Sequence, residues 1–228
     1  EHLTSTAALA GTFAAAFGAQ AEAAYTALLH DIGKYSPKGQ KRQRDPEHTA
    51  KVDHSSAGAQ EAFRRKDPMA AFAVAGHHGG LPDFGSRGDT DGGTLCSRLN
   101  KPLTGGDDPS AWKQEIVLPS SIPMPSWAVN CQEGRVQAMY TRMLFSCLVD
   151  ADYTASAMND DSTYLDRAED CYFDPQALLE TLYAYCGSIR QASTADKTLN
   201  QYRDQVFEQC GKMGDKPEGL YTLTAPTG

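Results

Sequence analysis

The chain has 228 residues, of which 40% are hydrophobic and 22% charged, and its formal net charge at pH 7 is −8. This length supports one large domain with a full core, and the composition excludes an intrinsically disordered chain. No run approaches the roughly 18 uncharged apolar residues of a transmembrane helix, so no membrane partner is expected. The acidic balance argues against tight, autonomous binding of nucleic acid, because proteins that hold a polynucleotide alone usually carry a basic stripe.

The cysteines indicate the compartment. Six are spread along the chain and none forms a C-x-x-C pair. This spacing excludes a zinc ribbon and is typical of reduced packing residues. The N-terminus also lacks the basic and then apolar pattern of a secretory signal. We therefore expect a cytoplasmic protein.

The hydrophobic pattern of the first 80 residues predicts a helical fold. Apolar residues at helical spacing, separated by glycine and proline breakers, predict four helices, over 2–17, 20–31, 55–65 and 68–78. Asp53 or Ser55 can cap the third of them. The charged stretch 37–50 is predicted to be a mobile surface loop.

The amino-acid composition changes after residue 82. Residues 83–127 are rich in Gly, Pro, Ser and Asp and lack periodicity, which predicts a long irregular insertion of no assigned role. Three further helices are predicted over 135–158, 174–189 and 196–212. The only β-like run is 219–224. The sequence therefore predicts an all-α domain without internal repeats.

Most of the histidines lie where a metal site would need them. Four of the six stand beside aspartates or a glycine turn, which is unusual for so scarce a residue, and a fifth, His2, lies near the start of the chain. Neighbouring residues at a helix end point about 100° apart, so they could bracket a pair of ions. Two ions about 3.5–4 Å apart would hold both reacting oxygens of a phosphoryl transfer. The candidates are His2, His30, His54 and the pair His77-His78, with Asp31; His48, in the charged stretch, is not expected to be a ligand.

A site of this kind usually needs one more carboxylate. The long predicted helix offers Asp150 and Asp152, and residues two apart on a helix point about 200° from each other, so only one can face the site. Periodicity alone leaves the choice between them open.

These motifs resemble the HD phosphohydrolase superfamily. The finer motifs LLHDIGKYSPKGQ, DHS, GHHGGLPD and RMLFSCLVDADYT resemble one branch, the HD nuclease domain of the type I CRISPR-associated helicase–nuclease. The resemblance implies metal ligands at all five histidines and at Asp31. It also implies Asp152 rather than Asp150 as the closing ligand, because the family's Ala-Asp pair matches Ala151-Asp152. Lys34 matches the family lysine and would stabilise charge on the phosphate; its structural alternative is a helix cap.

The C-terminal segment GLYTLTAPTG resembles the strand and opening loop of a helicase motif I, without its Gly-Lys-Thr. We therefore expect an HD nuclease domain at 1–215, with the insertion at 83–127, and the start of a helicase domain, including a short β segment, at 216–228. The resemblance implies single-stranded DNA as substrate, a helicase domain in cis and a CRISPR RNA-guided surveillance complex as partners.

The imidazole-rich ligand set favours two divalent transition-metal ions (Mn, Fe, Co or Ni) over Mg²⁺, which prefers oxygen ligands. Asp31 is expected to bridge the ions and, with Lys34, to act in catalysis. One alternative is an HD-type nucleotide phosphohydrolase or phosphodiesterase, which would need an enclosed nucleoside pocket rather than an open groove. Another is a docking module without catalysis, which would purify without metal and stay inactive when Mn or Ni is added.

Overall fold

The computed structural model describes residues 1–121, 124–129, 133–161, 163–164, 174–217, 219 and 221–225. Within these ranges the regular structure is entirely helical, which confirms the all-α prediction. Short 3₁₀ segments at Ala14–Phe17 and Ile32–Tyr35 follow the first and second α-helices. The α-helices are His2–Phe13 (α1), Gln20–Leu29 (α2), Pro37–Arg44 (α3), Ser55–Arg64 (α4), Pro68–Gly76 (α5), Leu95–Leu99 (α6), Ser126–Val129 (α7), Gly134–Asp160 (α8), Pro175–Ala192 (α9) and Lys197–Met213 (α10).

The chain divides into two compact units, Glu1–Glu169 and Asp170–Gly228. In the first unit α1 packs on α2 and α8, and α5 packs on α4 and α8. The buried side chains of α8 recur at intervals of three or four residues, as expected for a helix with one face in the core. They include Tyr140, Leu144, Cys147, Leu148 and Ala151. Burial of one leucine contributes about 1.5–3 kcal/mol, so α8 is a principal support of this bundle.

Small residues let the helices around the site approach closely. A Cβ added to Gly58 would lie 2.0 Å from the carbonyl oxygen of Leu29, so α4 touches the backbone at the end of α2. A Cβ added to Gly33 would lie 2.1 Å from the carbonyl oxygen of His54. Any side chain at these two positions would separate the end of α2 from the start of α4, and with it His30 from His54.

One prediction for the first unit was wrong. The stretch 37–50 is not a loop throughout, because α3 occupies Pro37–Arg44. The Ser36 side chain accepts a hydrogen bond from the Gly39 amide, and Pro37 occupies the first helical position, which together start a helix without any apolar face.

The irregular stretch 83–127 contributes to the core of the first unit. It contains α6, and its Leu95 and Trp112 are buried in the same core as α5 and α8. Its backbone is irregular over most of its length, as predicted, but its large apolar side chains are part of the domain core.

The second unit contains a helical hairpin. Asp174 and Asp196 cap the starts of α9 and α10, as the Asp174-Pro175 pair predicts for α9. The two helices meet through the rings of Tyr183 and Phe207 and through an ion pair between Arg190 and Asp204. The described residues of 216–228 contain no strand, because a β segment needs a partner for its backbone hydrogen bonds. Over the described part of the chain, no helix has the length and hydrophobicity to cross a bilayer.

Candidate metal centre

The predicted ligands converge at one place because most of them stand at helix ends. At a helix end the backbone turns, so neighbouring side chains can reach a common point that two residues within a helix cannot. Asp152 is the exception, since it projects from within α8. The ligand candidates are His2 at the start of α1, His30 and Asp31 after α2, His54 before α4, His77 and His78 after α5, and Asp152.

Asp31 lies between two groups of histidines. Its Oδ1 lies 3.3 Å from Nε2 of His54 and 3.7 Å from Nε2 of His77. Its Oδ2 lies 3.4 Å from Nε2 of His30 and 3.9 Å from Nε2 of His2. Each carboxylate oxygen therefore faces a different pair of imidazoles, which is the arrangement of a carboxylate shared by two cations.

The ligand atoms form two sets around this carboxylate. Asp31, His54, His77 and His78 make one set, and His2, His30 and Asp31 make the other; within each set all ligand atoms lie within 4.8 Å of one another. We call them the His54 half-site and the His2 half-site. Three or four protein ligands at this separation suit a transition metal.

Asp152 adds a second carboxylate to the His2 half-site. Its Oδ1 lies 3.0 Å from Nε2 of His2 and 3.5 Å from Nε2 of His30. Asp150 is exposed on the other side of α8. The structure therefore brings Asp152, and not Asp150, to the cluster, a choice that helical periodicity alone left open.

Backbone hydrogen bonds fix the orientation of three imidazoles. Nδ1 of His30, His54 and His77 lies 2.6, 3.1 and 2.7 Å from the carbonyl oxygens of Ala27, Val52 and Val74, respectively. A carbonyl can only accept, so each Nδ1 carries a proton, and Nε2 is the ring nitrogen that faces Asp31 and could bind a metal. This second contact is the usual way in which a metal-binding histidine is held.

Several polar atoms at the centre are buried and lack a hydrogen bond of normal geometry. They are Nε2 of His30, Nε2 of His77 and both carboxylate oxygens of Asp31. Leaving such atoms unsatisfied costs about 1–3 kcal/mol each, and more for a charged group. Divalent cations between them would satisfy all four, so the residues fit a metal centre.

The electrostatics of the centre agree with this fit. Burial would raise the pKa of Asp31, but the surrounding His30, His77 and Lys34 hold it well below its usual range, so the carboxylate is ionised. Burial would lower the pKa of His30, but Asp152 and Asp31 raise it to about 9. Nε2 of His30 thus attracts a proton between two carboxylates, and a metal ion would take that proton's place.

The His54 half-site is nearer the surface. Its outermost ligand, His78, is exposed, whereas His77 is buried. Partial desolvation of its ring, together with the charge of neighbouring histidines, lowers the pKa of His78 to about 4. Burial also lowers the pKa of His54. Both rings are therefore neutral near pH 7, the form in which histidine binds metals.

Residues of the 83–127 stretch contact the start of α4, where His54 lies. Lys101 contacts the Asp53 carboxylate at 2.8 Å and Arg98 donates to the Ser55 hydroxyl at 2.6 Å, on either side of His54. The Asp53 carboxylate in turn accepts from the Ser56 amide at 3.1 Å. It thus satisfies an amide in the first turn of α4, although the N-cap residue of this helix is His54. This stretch therefore positions His54, although the sequence assigned it no role.

Two grooves flank the centre and meet at Lys34 and Gln43. The N-terminal groove, of about 720 Å³, is lined by Glu1, His2, Leu3, Thr4, Asp31, Lys34, Tyr35, Gln40, Gln43, Ala111, Glu115, Ile116 and Ser156. The basic groove, of about 450 Å³, is lined by Lys34, Gly39, Arg42, Gln43, Lys51, Val52, His54 and His78. The ligand candidates are thus accessible from two directions, His2 and Asp31 from the N-terminal groove and His54 and His78 from the basic groove.

The structure brings together all seven predicted ligands and leaves out His48, which is exposed and contacts Asp45. Lys34 lies beside Asp31, with its ammonium against Oδ2, and is 34% exposed. Sequence reasoning did not predict that residues of α3 line the grooves. A run of lysines, arginines and glutamines without apolar residues at helical spacing does not indicate an ordered helix.

Comparison with known families agrees with this geometry. Residues 1–101 match the HD domain family, and this region includes the five candidate histidines and Asp31 but not Asp152. The match covers 101 of the 228 residues, and no curated protein matches the chain. An HD domain implies a metal-dependent phosphohydrolase, and the cluster around Asp31 provides a candidate site for its divalent ions.

Proposed function

We propose that this protein is a metal-dependent nuclease that hydrolyses phosphodiester bonds of single-stranded DNA in the cytoplasm. The observation that carries the proposal is the position of Asp31, which presents one oxygen to each of two imidazole groups. The same carboxylate could then hold two ions at the distance that phosphoryl transfer uses.

The ligands divide between two divalent ions. His2, His30, Asp31 and Asp152 would hold one, and Asp31, His54, His77 and His78 the other. When bound, such ions supply Lewis-acid chemistry, which activates water and stabilises the charge that develops on the phosphoryl group. The number of imidazoles favours Mn, Fe, Co or Ni over Mg²⁺.

Lys34 is proposed to act on the phosphate itself. Its ammonium lies against the Asp31 carboxylate where the two grooves meet, and a third of the side chain is exposed to an incoming substrate. A fixed positive charge at this point would stabilise the anionic transition state, an effect worth about 10²–10³ in kcat for one donor. Lys34→Met should lower kcat by this amount; if Lys34 is only a helix cap, the variant should lose stability and keep its kcat.

A strand is proposed as the substrate because the ligands open into two connected grooves rather than one closed pocket. A pocket for a small ligand buries most of its surface, whereas here Gln43, Lys51 and His78 are exposed. The resemblance of the motifs RMLFSCLVDADYT and GLYTLTAPTG supports the proposed partners. These are a helicase domain in cis, which would deliver the strand, and a CRISPR RNA-guided surveillance complex, which would displace it.

The net charge of −8 favours the second candidate, an HD-type nucleotide phosphohydrolase, which would not need to hold a polyanion. One experiment separates the two. Protein loaded with Mn or Ni is incubated with circular single-stranded DNA and, separately, with deoxynucleoside monophosphates and cyclic nucleotides. We expect cleavage of the circle, and loss of cleavage in Asp31→Asn. Hydrolysis of the nucleotides without cleavage of the circle would replace the nuclease proposal.

A further inference from the structure

The two grooves that meet at the metal centre differ in charge. Three cationic side chains line the basic groove, those of Lys34, Arg42 and Lys51, and among the described residues no carboxylate lines it. The N-terminal groove instead carries the carboxylates of Glu1, Asp31 and Glu115. A chain whose overall charge is −8 therefore concentrates positive charge on one side of its candidate site.

The wall of the basic groove is held in place. The guanidinium of Arg42, on α3, donates to the carbonyl oxygens of Pro46 and Thr49 in the loop that leads to Lys51. On the same helix, the Gln40 amide donates to the carbonyl oxygen of Lys34 at 3.0 Å. These hydrogen bonds fasten α3 both to the loop and to the segment that carries Lys34, so the cations keep a fixed relation to the site.

Lys51 contributes an uncompensated charge to this wall. Lys34, Lys38 and Lys101 each contact an aspartate. Lys51, in contrast, is exposed and has no carboxylate partner among the described residues. Its position, three residues before His54, leaves its ammonium free to contact an anion beside the His54 half-site.

We propose that the phosphates adjoining the scissile bond lie in the basic groove, so that the DNA strand reaches the metal centre from the His54 half-site. Lys51 is then a positioning residue for the strand. This inference rests on the proposed nuclease function and adds to it the path of the substrate. Glu1 and Glu115 of the N-terminal groove, which are not metal-ligand candidates, would repel the same phosphates, which gives the two sides of the site different roles.

Binding can be measured without cleavage. The EDTA-treated 228-residue protein is titrated with a fluorescein-labelled oligothymidylate, and anisotropy is followed between about 50 and 200 mM salt. Lys51→Gln should weaken binding by up to about fivefold, the upper end of the range for one exposed ion pair. Each phosphate contact on a single strand contributes about −0.7 to the slope of log K against log salt, so the variant should lose about that much.

The matched control is Lys41→Gln, which makes the same charge change on α3 but lines neither groove. It should keep the wild-type affinity and slope. In cleavage assays with Mn, Lys51→Gln should raise KM for the oligonucleotide and lower the ratio of oligonucleotide to bis(p-nitrophenyl) phosphate turnover.

Equal effects of the two substitutions would mean that only the overall charge matters, and would overturn the inference. Unchanged oligonucleotide binding in Lys51→Gln would overturn it as well, while wild-type cleavage of DNA would leave the nuclease proposal standing. Wild-type protein that hydrolyses nucleotides but neither binds nor cleaves DNA would instead refute the nuclease proposal itself.

Discussion

Gly33→Ala tests how the His54 half-site is built. The added Cβ would lie 2.1 Å from the carbonyl oxygen of His54 and 2.5 Å from its Cα. Ordinary van der Waals contact begins at 3.4 Å, so the two backbones must separate by about 1.3 Å, the difference between 3.4 and 2.1 Å. Both atoms belong to the backbone, so no flexible side chain can absorb this movement.

The consequence for the metal centre follows from this shift. Metal–ligand distances tolerate deviations of only about 0.2 Å, several times less than the displacement. The His54 half-site should therefore lose its ion, while the His2 half-site, which does not use His54, keeps its own. Overpacking should cost about 1–3 kcal/mol of stability, and misplacing a reacting group by 1 Å can cost about 10²-fold in rate.

The assay combines metal content with activity. Plasma mass spectrometry of Mn-loaded protein should give close to one ion per chain for Gly33→Ala and two for the wild type, with cleavage reduced about 10²-fold. Circular dichroism checks that the variant stays helical. The control is Gly79→Ala, beside His78, where an added Cβ meets nothing within 4 Å. A Gly33→Ala protein with two ions and wild-type cleavage would refute the reasoning.

Three further predictions concern other parts of the first unit. Asp152→Asn should lose the ion of the His2 half-site and its activity, whereas Asp150→Asn, on the exposed side of α8, should keep both; the reverse result would exchange their roles. Trp112→Ala should cost about 3–5 kcal/mol in urea unfolding because this side chain is buried, and a loss below about 0.5 kcal/mol would show the 83–127 stretch to be peripheral. Burial, together with the charge of Asp67, raises the pKa of Glu22 from 4.5 to about 7 despite the hydrogen bond from Tyr140. Protonated Glu22 stabilises the folded state fully below about pH 4.5, and this stabilisation is lost as the pH rises through 7. The unfolding free energy of Glu22→Gln should therefore rise relative to that of the wild type, by up to about 3 kcal/mol, between about pH 4.5 and 8. Parallel pH profiles of the unfolding free energy in the two proteins would contradict this.

The helices, and the residues that cluster around Asp31, could be predicted from the sequence because both leave local signals. Apolar residues of α8 recur at helical intervals, and the motifs around His30 and His77 place scarce residues at recognisable helix ends. Asp152 could be preferred to Asp150 only through a family resemblance, since the side of α8 that faces the site depends on how the helix packs.

Other features depended on contacts between distant residues. α3 was missed because it has no apolar residues at helical spacing. The cap at Ser36 and Pro37 at the first position start this helix without them. Trp112 and Leu95 were assigned to an irregular insertion, since an isolated buried side chain in a Gly- and Pro-rich stretch has no periodicity. The close contact between Gly33 and the His54 backbone joins residues 21 positions apart, and neither local sequence predicts it.

The contact between His2 and Asp152 spans 150 positions of the chain. Ions held between them would join the first helix of the bundle to its longest one, and they could bind only after those helices had met. Such ions stabilise the folded state alone, by about 2.7 kcal/mol when free metal is present at a hundred times Kd. The catalytic cofactor would therefore also act as a removable cross-link, and the temperature at which this domain unfolds should report the metal supply of its surroundings.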